Sequence, residues 1–254
     1  MRSEYMIAGI IPARWASTRF PGKLGADLEG KPLLQWTWER AKLAGSLDRV
    51  IIAAGDEQIS ELSRGFGAEV EEVFEECQSG SDRISRVIDR LADRGEQVKI
   101  TVNIQGDEPL LDPQIIDKTV SRLLSSPNAG VATPVARIKE KRDYLDSSVV
   151  KVVMDSKNSA LYFTRSPVPE GWSLNSGKAY RHIGLYAYRT EILKAFTRWA
   201  PCEMEITERL EQLRLLYNGV NIAVVEVEEF GVGVDTIADL ERVRSILQKR
   251  NQTA

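Results

Sequence analysis

The sequence predicts an α/β fold, a mostly parallel central sheet flanked by helices with a smaller antiparallel insertion. Three observations predict it. Short apolar runs rich in β-formers alternate with amphipathic helical segments through the N-terminal half. Those runs break abruptly into polar residues at their carboxyl ends, as strands of a parallel sheet do. Beyond "AGVATPVARI" the alternation gives way to hairpin patterning. At 254 residues the chain suits a single α/β domain over 1–254, with roughly 140–200 as the antiparallel insertion.

Taken in order, "MIAGII" is a buried strand that empties into the basic loop "PARWASTRFPGK". "LLQWTWERAKLA" is a helix begun near Pro32, with Trp36 and Trp38 in the core. "RVIIAA" is the second strand, "DEQISELSRGFG" a short helix stopped by glycine, and "AEVEEVF" a short edge strand. "SDRISRVIDRLADRG" places Ile84, Val87, Ile88 and Leu91 on one helical face, the Arg-rich remainder being mostly a solvated face. "VKITVNI" is the next strand, breaking into "QGDEP"; "DPQIIDKTVSRLLSS" is a helix with an Asp N-cap and Pro in its first turn. "VVKVVMD" and "ALYFTR" flank "SKNS" as a hairpin, and "HIGLYAYR" is a further strand. The Pro-, Gly- and Ser-rich "SPVPEGWSLNSGKA" between them is a surface excursion or lid. "CEMEITERLEQLRLLYNG" reads as one helix, "NIAVVEV" as a strand and "TIADLERVRSILQKR" as the final helix.

Composition narrows the function. A net charge of -3 argues against a nucleic-acid-binding surface over the whole molecule, so any basic site is local. Cys77 and Cys202 fit neither a disulfide framework nor a metal-binding pair, and buried reduced thiols are expected. A single histidine, His182, removes His-rich metal sites. No apolar run approaches a membrane span and the N-terminus lacks a signal-peptide pattern, so a cytoplasmic protein without membrane or nucleic-acid partners is expected.

Unusual polar residues stand at strand ends, where α/β sheets bind ligands. Arg14, Arg19 and Lys23 carry enough charge for a polyphosphate, with Ser17, Thr18 and loop amides as donors. The loop is not a Walker A sequence, and no dinucleotide fingerprint is present. Asp107 in "NIQGDEP" suits Mg²⁺ held against phosphates, or a plain turn closing a strand. Asp235 in "GVGVDT" suits a second metal contact, or, with Thr236, a helix cap. His182 and Arg165 lie in the insertion, where Tyr186 and Tyr188 share a strand face with the histidine; an aromatic structural cluster and a ligand pocket are both open there.

Eight segments in order, "IIPARWASTRFPGK", "QSGSDR", "NIQGDEP", "VKVVMD", "ALYFTRSPVP", "HIGLYAYR", "EITERLEQLRLLYNG" and "GVGVDTIADLERVR", resemble the 3-deoxy-manno-octulosonate (Kdo) cytidylyltransferases, also called CMP-Kdo synthetases. The resemblance implies a nucleotide-diphospho-sugar transferase-like fold whose antiparallel region forms the sugar pocket and the contact of a homodimer. It implies transfer of CMP from CTP to the anomeric hydroxyl of Kdo, with Mg²⁺ and release of pyrophosphate, for lipopolysaccharide synthesis. Carried over by position, Arg14 and Lys23 hold the triphosphate with the backbone of Pro12 and Ala13. Ser79 and Gly80 lie against cytosine, and Gln105 lies near nucleotide and sugar. Asp107 and Asp235 ligate Mg²⁺; Arg19, Arg165, His182, Tyr186, Glu211 and Gln212 line the sugar pocket. Arg14, Lys23, Asp107 and Asp235 are the catalytic set.

The chain also departs from that pattern. Ala54-Gly55-Asp56 replaces Ala-Thr-Asp, Cys77 replaces a frequent histidine, and Cys202 to Glu205 replaces Ser-Pro-Leu-Glu. The first two bear on the base pocket. The third leaves room for a variant sugar such as 8-amino-Kdo, and a cytidylyltransferase for another acidic sugar, for instance a sialic acid, is the nearest rival. A non-catalytic nucleotide-binding subunit is the reading from a different class.

Overall fold

The computed structural model describes residues 6–17, 19–173, 178–228 and 231–253, so Thr18 and residues 174–177 of the Pro/Gly-rich excursion lie outside the described residues. Its residues fall into two compact units, one drawn from Met1–Asp117 and Phe230–Ala254, the other from Lys118–Glu229.

In the first unit β1 (Met6–Ala13) leads into the basic loop, followed by the two-residue strands β2 (Asp27–Leu28) and β3 (Lys31–Pro32) and helix α1 (Leu33–Ala41). Then come β4 (Arg49–Ala54), α2 (Glu57–Gly65), β5 (Glu69–Glu72), α3 (Gly80–Asp93), β6 (Val98–Asn103) and α4 (Pro113–Leu124), which begins in this unit. The strands run β5-β4-β1-β6, all parallel, with Ile10 beside Ile51 across one pair and Asn103 across the other. Ile10, Ile11, Ile51 and Ile52 are fully buried, as expected for strands covered on both faces. Ile84, Val87, Ile88 and Leu91 of α3 are all buried, each stabilising by roughly 1.5–3 kcal/mol. Ser79 begins that helix through a reciprocal box, accepting from the Asp82 amide (3.2 Å) while its own amide donates to the Asp82 carboxylate (3.0 Å).

The second unit carries β7 (Val131–Arg137), α5 (Lys141–Leu145), β8 (Lys151–Met154), β9 (Ala160–Thr164), β10 (Tyr180–His182), β11 (Tyr186–Arg189), α6 (Thr190–Phe196), α7 (Glu203–Glu208), α8 (Leu213–Tyr217) and β12 (Ile222–Val227). β7 is its central strand. It pairs parallel with β12 and antiparallel with β10 and β11, while β8 pairs antiparallel with β9 and β10. The chain closes with α9 (Ile237–Thr253). Lys151 is fully buried, its ammonium donating to the carbonyls of Asp146 (2.6 Å), Val149 (2.7 Å) and Arg165 (3.2 Å).

Three local expectations change. "HIGLYAYR" is two strands, because the Leu185 amide turns back to the Ile183 carbonyl (2.7 Å) and breaks the ladder. The single helix expected over 202–219 is α7 and α8, separated where Arg209 takes a left-handed conformation (φ 55°) and the Leu210 amide closes on Glu205. Both cysteines are free, but only Cys202 is buried; Cys77 is half-buried. Among the described residues no helix is long and apolar enough to cross a membrane.

Candidate active site

The basic loop is fixed at both ends. At its start the Trp15 amide donates to Asp56 Oδ2 (2.6 Å), and Asp56 Oδ1 accepts from the Ile59 amide (2.9 Å), so one carboxylate caps α2 and pins the loop. At its end Gly22 takes φ +68° and donates to the Trp15 carbonyl (3.3 Å). The Trp15 indole lies so close over Gly25 that a Cβ there would sit 2.6 Å from the ring. This fold-back turns Lys23 inward, leaving 11% of its side chain exposed.

The Lys23 ammonium meets two carboxylates from distant parts of the sequence, Asp107 Oδ2 at 2.6 Å and Asp235 Oδ1 at 3.2 Å. The Arg19 guanidinium reaches the same Asp235 oxygen at 2.9 Å. Arg14, by contrast, is exposed and has no partner among the described residues. The turn bearing Asp107 is braced by Thr37, whose hydroxyl donates to the Gly106 carbonyl (3.0 Å), and by the Val234 amide, which donates to the Asp107 carbonyl (2.9 Å). The helix-cap alternative for Asp235 resolves in favour of Thr236. Its hydroxyl accepts from the Asp239 amide (3.2 Å), and the Asp239 carboxylate accepts from the Thr236 amide (2.9 Å). With that capping done, the Asp235 carboxylate is left to Lys23 and Arg19.

Two hard carboxylate oxygens beside one ammonium fit Mg²⁺, which takes one or two carboxylates and completes its shell with phosphate and water. Among the described residues no group of three or more His, Cys, Asp or Glu side chains gathers to hold a metal by itself.

Pro12 and Ala13 end β1, where Gly55 N donates to the Ala13 carbonyl (2.8 Å). Gly80 opens α3 against Pro12, a Cβ there falling 3.1 Å from the proline ring. The Ser79 hydroxyl is spent on the cap, and Gly80 beside it is half-buried. Gln105 donates from Nε2 to Asn103 Oδ1 at 3.4 Å. Arg83, expected on a solvated face, is instead buried, with 8% of its surface exposed.

In the second unit His182, Tyr186 and Tyr188 form a ladder of rings, with centroids 5.1 and 5.7 Å apart. Phe163 meets the imidazole edge-on at 5.2 Å. The His182 residue keeps some solvent exposure, but its ring is enclosed, and burial pushes its pKa down to about 3. Thr133 donates its hydroxyl proton to the Leu185 carbonyl (2.8 Å), so at the 3.0 Å contact it accepts from His182 Nε2. The imidazole is thus a neutral Nε2–H tautomer with Nδ1 as acceptor. Burial pushes the Tyr186 phenol up, and the charges of Tyr188 and Glu211 add to the effect, which places Glu211 near this ladder. Gln212 is buried, and its Nε2 has no hydrogen-bond partner among the described residues. Arg165 is committed to the backbone: its guanidinium donates to the carbonyls of Glu208 (2.9 Å) and Ser147 (3.0 Å), and its amide to the Glu208 carboxylate (2.9 Å).

The departure at Cys202–Glu205 has a structural account. The Cys202 amide donates to Glu205 (3.3 Å), which also accepts from Arg214 Nε at 2.7 Å. Sequence reasoning missed the anchoring by Trp15 and Asp56. The only signal was an acidic residue at the end of β4, and its partner lies 41 positions away.

A parallel sheet whose first strand delivers a basic loop onto two carboxylates defines a nucleotidyltransferase-type α/β enzyme. The chain belongs to the cytidylyltransferase family, whose model matches residues 8–222, and within it to the 3-deoxy-manno-octulosonate cytidylyltransferases. It is 44% identical over 248 residues to the enzyme of that name from Geobacter metallireducens, covering 93% of this chain and 96% of the relative. It is 40% identical over 250 residues to the mitochondrial enzyme of Arabidopsis thaliana, covering 97% and 85%. A solved CMP:2-keto-3-deoxy-manno-octonic acid synthetase complexed with CTP superposes with a TM-score of 0.90 at 34% identity, over 96% of this chain and 99% of that one. A 4-diphosphocytidyl-2C-methyl-D-erythritol synthase from Anaerococcus prevotii shares the fold, with a TM-score of 0.60 at 14% identity over 96% and 99% of the two chains.

Proposed function

We propose that this chain transfers CMP from CTP to the anomeric hydroxyl of Kdo, releasing pyrophosphate and supplying activated sugar for lipopolysaccharide assembly. The observation that carries the reading is the meeting of Asp107 and Asp235 on the Lys23 ammonium. In the reaction a sugar hydroxyl attacks the α-phosphorus, and negative charge builds on phosphoryl oxygens. Positioning and electrostatics dominate such a step. Lys23, held rigidly in a partly dry site, supplies positive charge to the triphosphate with Arg14 and the backbone of Pro12 and Ala13. Arg14, exposed and without a partner among the described residues, keeps its donors available for phosphate. Gly80 and the Ser79 backbone face the cytosine, and Gln105 stands near nucleotide and sugar.

Asp107 and Asp235 would hold Mg²⁺, which when bound lowers the pKa of the attacking hydroxyl and neutralises phosphate charge. No side-chain base is then required, consistent with a single histidine that stays neutral. The sugar pocket draws on His182 Nδ1 as an acceptor for a hydroxyl, on Tyr186 and Glu211, and on the Gln212 amide, whose Nε2 has no partner among the described residues. Arg19 supplies charge for the sugar carboxylate, and Arg165, through its carbonyl contacts, positions the segment around Glu208. We take the enzyme to work as a cytoplasmic homodimer.

Pyrophosphate release with CTP and Mg²⁺, measured against Kdo, 8-amino-Kdo and sialic acid, tests the reading. Release with Kdo at the highest kcat/KM supports it. Preference for another sugar reassigns the acceptor, and CTP binding without release with any sugar would leave only a binding protein.

A further inference from the structure

Gly25 takes no left-handed conformation, so its backbone alone does not ask for glycine. What asks for it is the Trp15 indole: a Cβ on Gly25 would sit 2.6 Å from both Cη2 and Cζ3 of the ring. The same edge of the ring lies over Gly22, where a Cβ would fall 3.2 Å from Cζ2. Two glycines therefore make a seat for one ring, and Lys23 stands between them in the chain. The ring contributes little to the core, since Trp15 keeps 37% of its surface exposed. Its backbone is fixed all the same, the amide on Asp56 (2.6 Å) and the carbonyl by the Gly22 amide (3.3 Å). The turn under the ring needs such support. Lys23–Gly25 is a single 3₁₀ turn, closed by the Gly25 amide on the Gly22 carbonyl (2.9 Å) and the Ala26 amide on the Lys23 carbonyl (3.1 Å), and no side chain caps its start. So short a turn does not hold its shape unaided. The Lys23 stem is long and flexible, so its ammonium meets Asp107 and Asp235 together only while the backbone beneath it stays fixed.

We propose that Trp15 is a positioning residue for Lys23: its indole, seated on Gly22 and Gly25, clamps the turn that aims the ammonium. The inference rests on the function proposed above, in which Lys23 serves the triphosphate. Trp15 acts through Lys23 rather than on the substrate. Without the ring Lys23 keeps its charge but loses its fixed position, and a triphosphate then meets a cation that has first to be ordered. Gly25 is the permissive partner, because any side chain there would push the ring off the turn.

Two measurements on the full chain test this without requiring turnover: calorimetric binding of inorganic triphosphate in Mg²⁺, and acetylation of Lys23 by acetic anhydride, read by mass spectrometry. W15A should weaken triphosphate roughly 10-fold and speed Lys23 acetylation by about the same factor. Lys151, fully buried, should stay unlabelled and so report an intact fold. W15F keeps a flat ring for the glycine seat and should remain within about 3-fold of the wild type in both readouts. G25A keeps the tryptophan but unseats it, and should reproduce W15A; it also serves if W15A fails to fold. On a K23M background W15A should weaken triphosphate by less than about 2-fold further, because nothing is left for the ring to position. Unchanged triphosphate affinity and Lys23 acetylation in both W15A and G25A overturn the proposal. So does a loss of equal size with and without K23M, which would give Trp15 a phosphate contact of its own. Labelling of Lys151 in both W15A and G25A overturns it too, by making the ring a support of the whole fold. Failure of the wild-type chain to release pyrophosphate with any sugar would count against the proposed function alone.

Discussion

His182 offers a prediction that can be worked through from one side chain. In the unfolded chain its imidazole titrates near 6.5; in the folded protein burial pushes it down to about 3. The unfolded state therefore binds a proton that the folded state refuses as pH falls through 6.5. The stabilising difference is fully present above that pH and is lost progressively toward pH 3. Each pH unit inside the window costs about 1.4 kcal/mol, so moving from pH 7.5 to 5.0 removes about 2 kcal/mol of stability through this residue. That figure depends only on the folded value lying well below 5. Carboxylates also titrate near the lower end, so the quantity to measure is a difference. Urea denaturation of the wild type and of His182→Gln, which cannot charge, should give curves of stability against pH that diverge by about 2 kcal/mol over this interval. Because His182 is the sole histidine, the NMR signal of its ring can be followed without ambiguity. A ring that titrates near 6.5 in the folded protein, or stability curves that stay parallel, would refute both the enclosure and the neutral Nε2–H tautomer.

Other changes follow from the same contacts. Asp107→Asn removes one of the two carboxylates on Lys23 and should lower kcat for pyrophosphate release roughly 10²-fold at fixed Mg²⁺, a loss that near-normal turnover would exclude. Lys151→Met takes the donor from three carbonyls at a fully buried position and should cost at least about 2 kcal/mol in chemical denaturation; a change within 0.5 kcal/mol, about the size of a surface substitution, would contradict that role. Glu205→Ala leaves Arg214 buried without its carboxylate, and should destabilise by about 3–5 kcal/mol while leaving the order of sugar preference intact. A switch of sugar preference in that variant would place Glu205 in substrate selection instead.

The elements most legible in the sequence were those governed by local pattern. β4 spans the run read as a strand, and the apolar face of α3 is buried as its spacing requires. Where backbone geometry overrode local pattern the reading failed, as at Arg209, whose left-handed conformation divides α7 from α8. The same holds for Ile183–Leu185, where a backbone turn interrupts alternation that otherwise reads as one strand. The charged residues of the site were visible because acidic and basic side chains stood at strand ends. Their pairing was not, since Lys23 lies 84 and 212 positions from its two carboxylates. Asp235 shows the limit clearly: whether it capped the helix or faced the site depended on Thr236 and Asp239 taking the cap. Arg83 shows another limit. Its helix also carries exposed charges, and this one turns inward over Gly55, where a Cβ would sit 2.7 Å from its Nη2.

In the proposed reaction the sugar hydroxyl attacks the α-phosphorus of CTP. Parallel reactions with CTP labelled at the α- or the γ-phosphorus, in the presence of Mg²⁺ and Kdo, test this most directly. The α-label should appear in a sugar-linked CMP and the γ-label in pyrophosphate, in equal amounts. Label from the γ-position on the sugar, or α-label released only as free CMP, would contradict it.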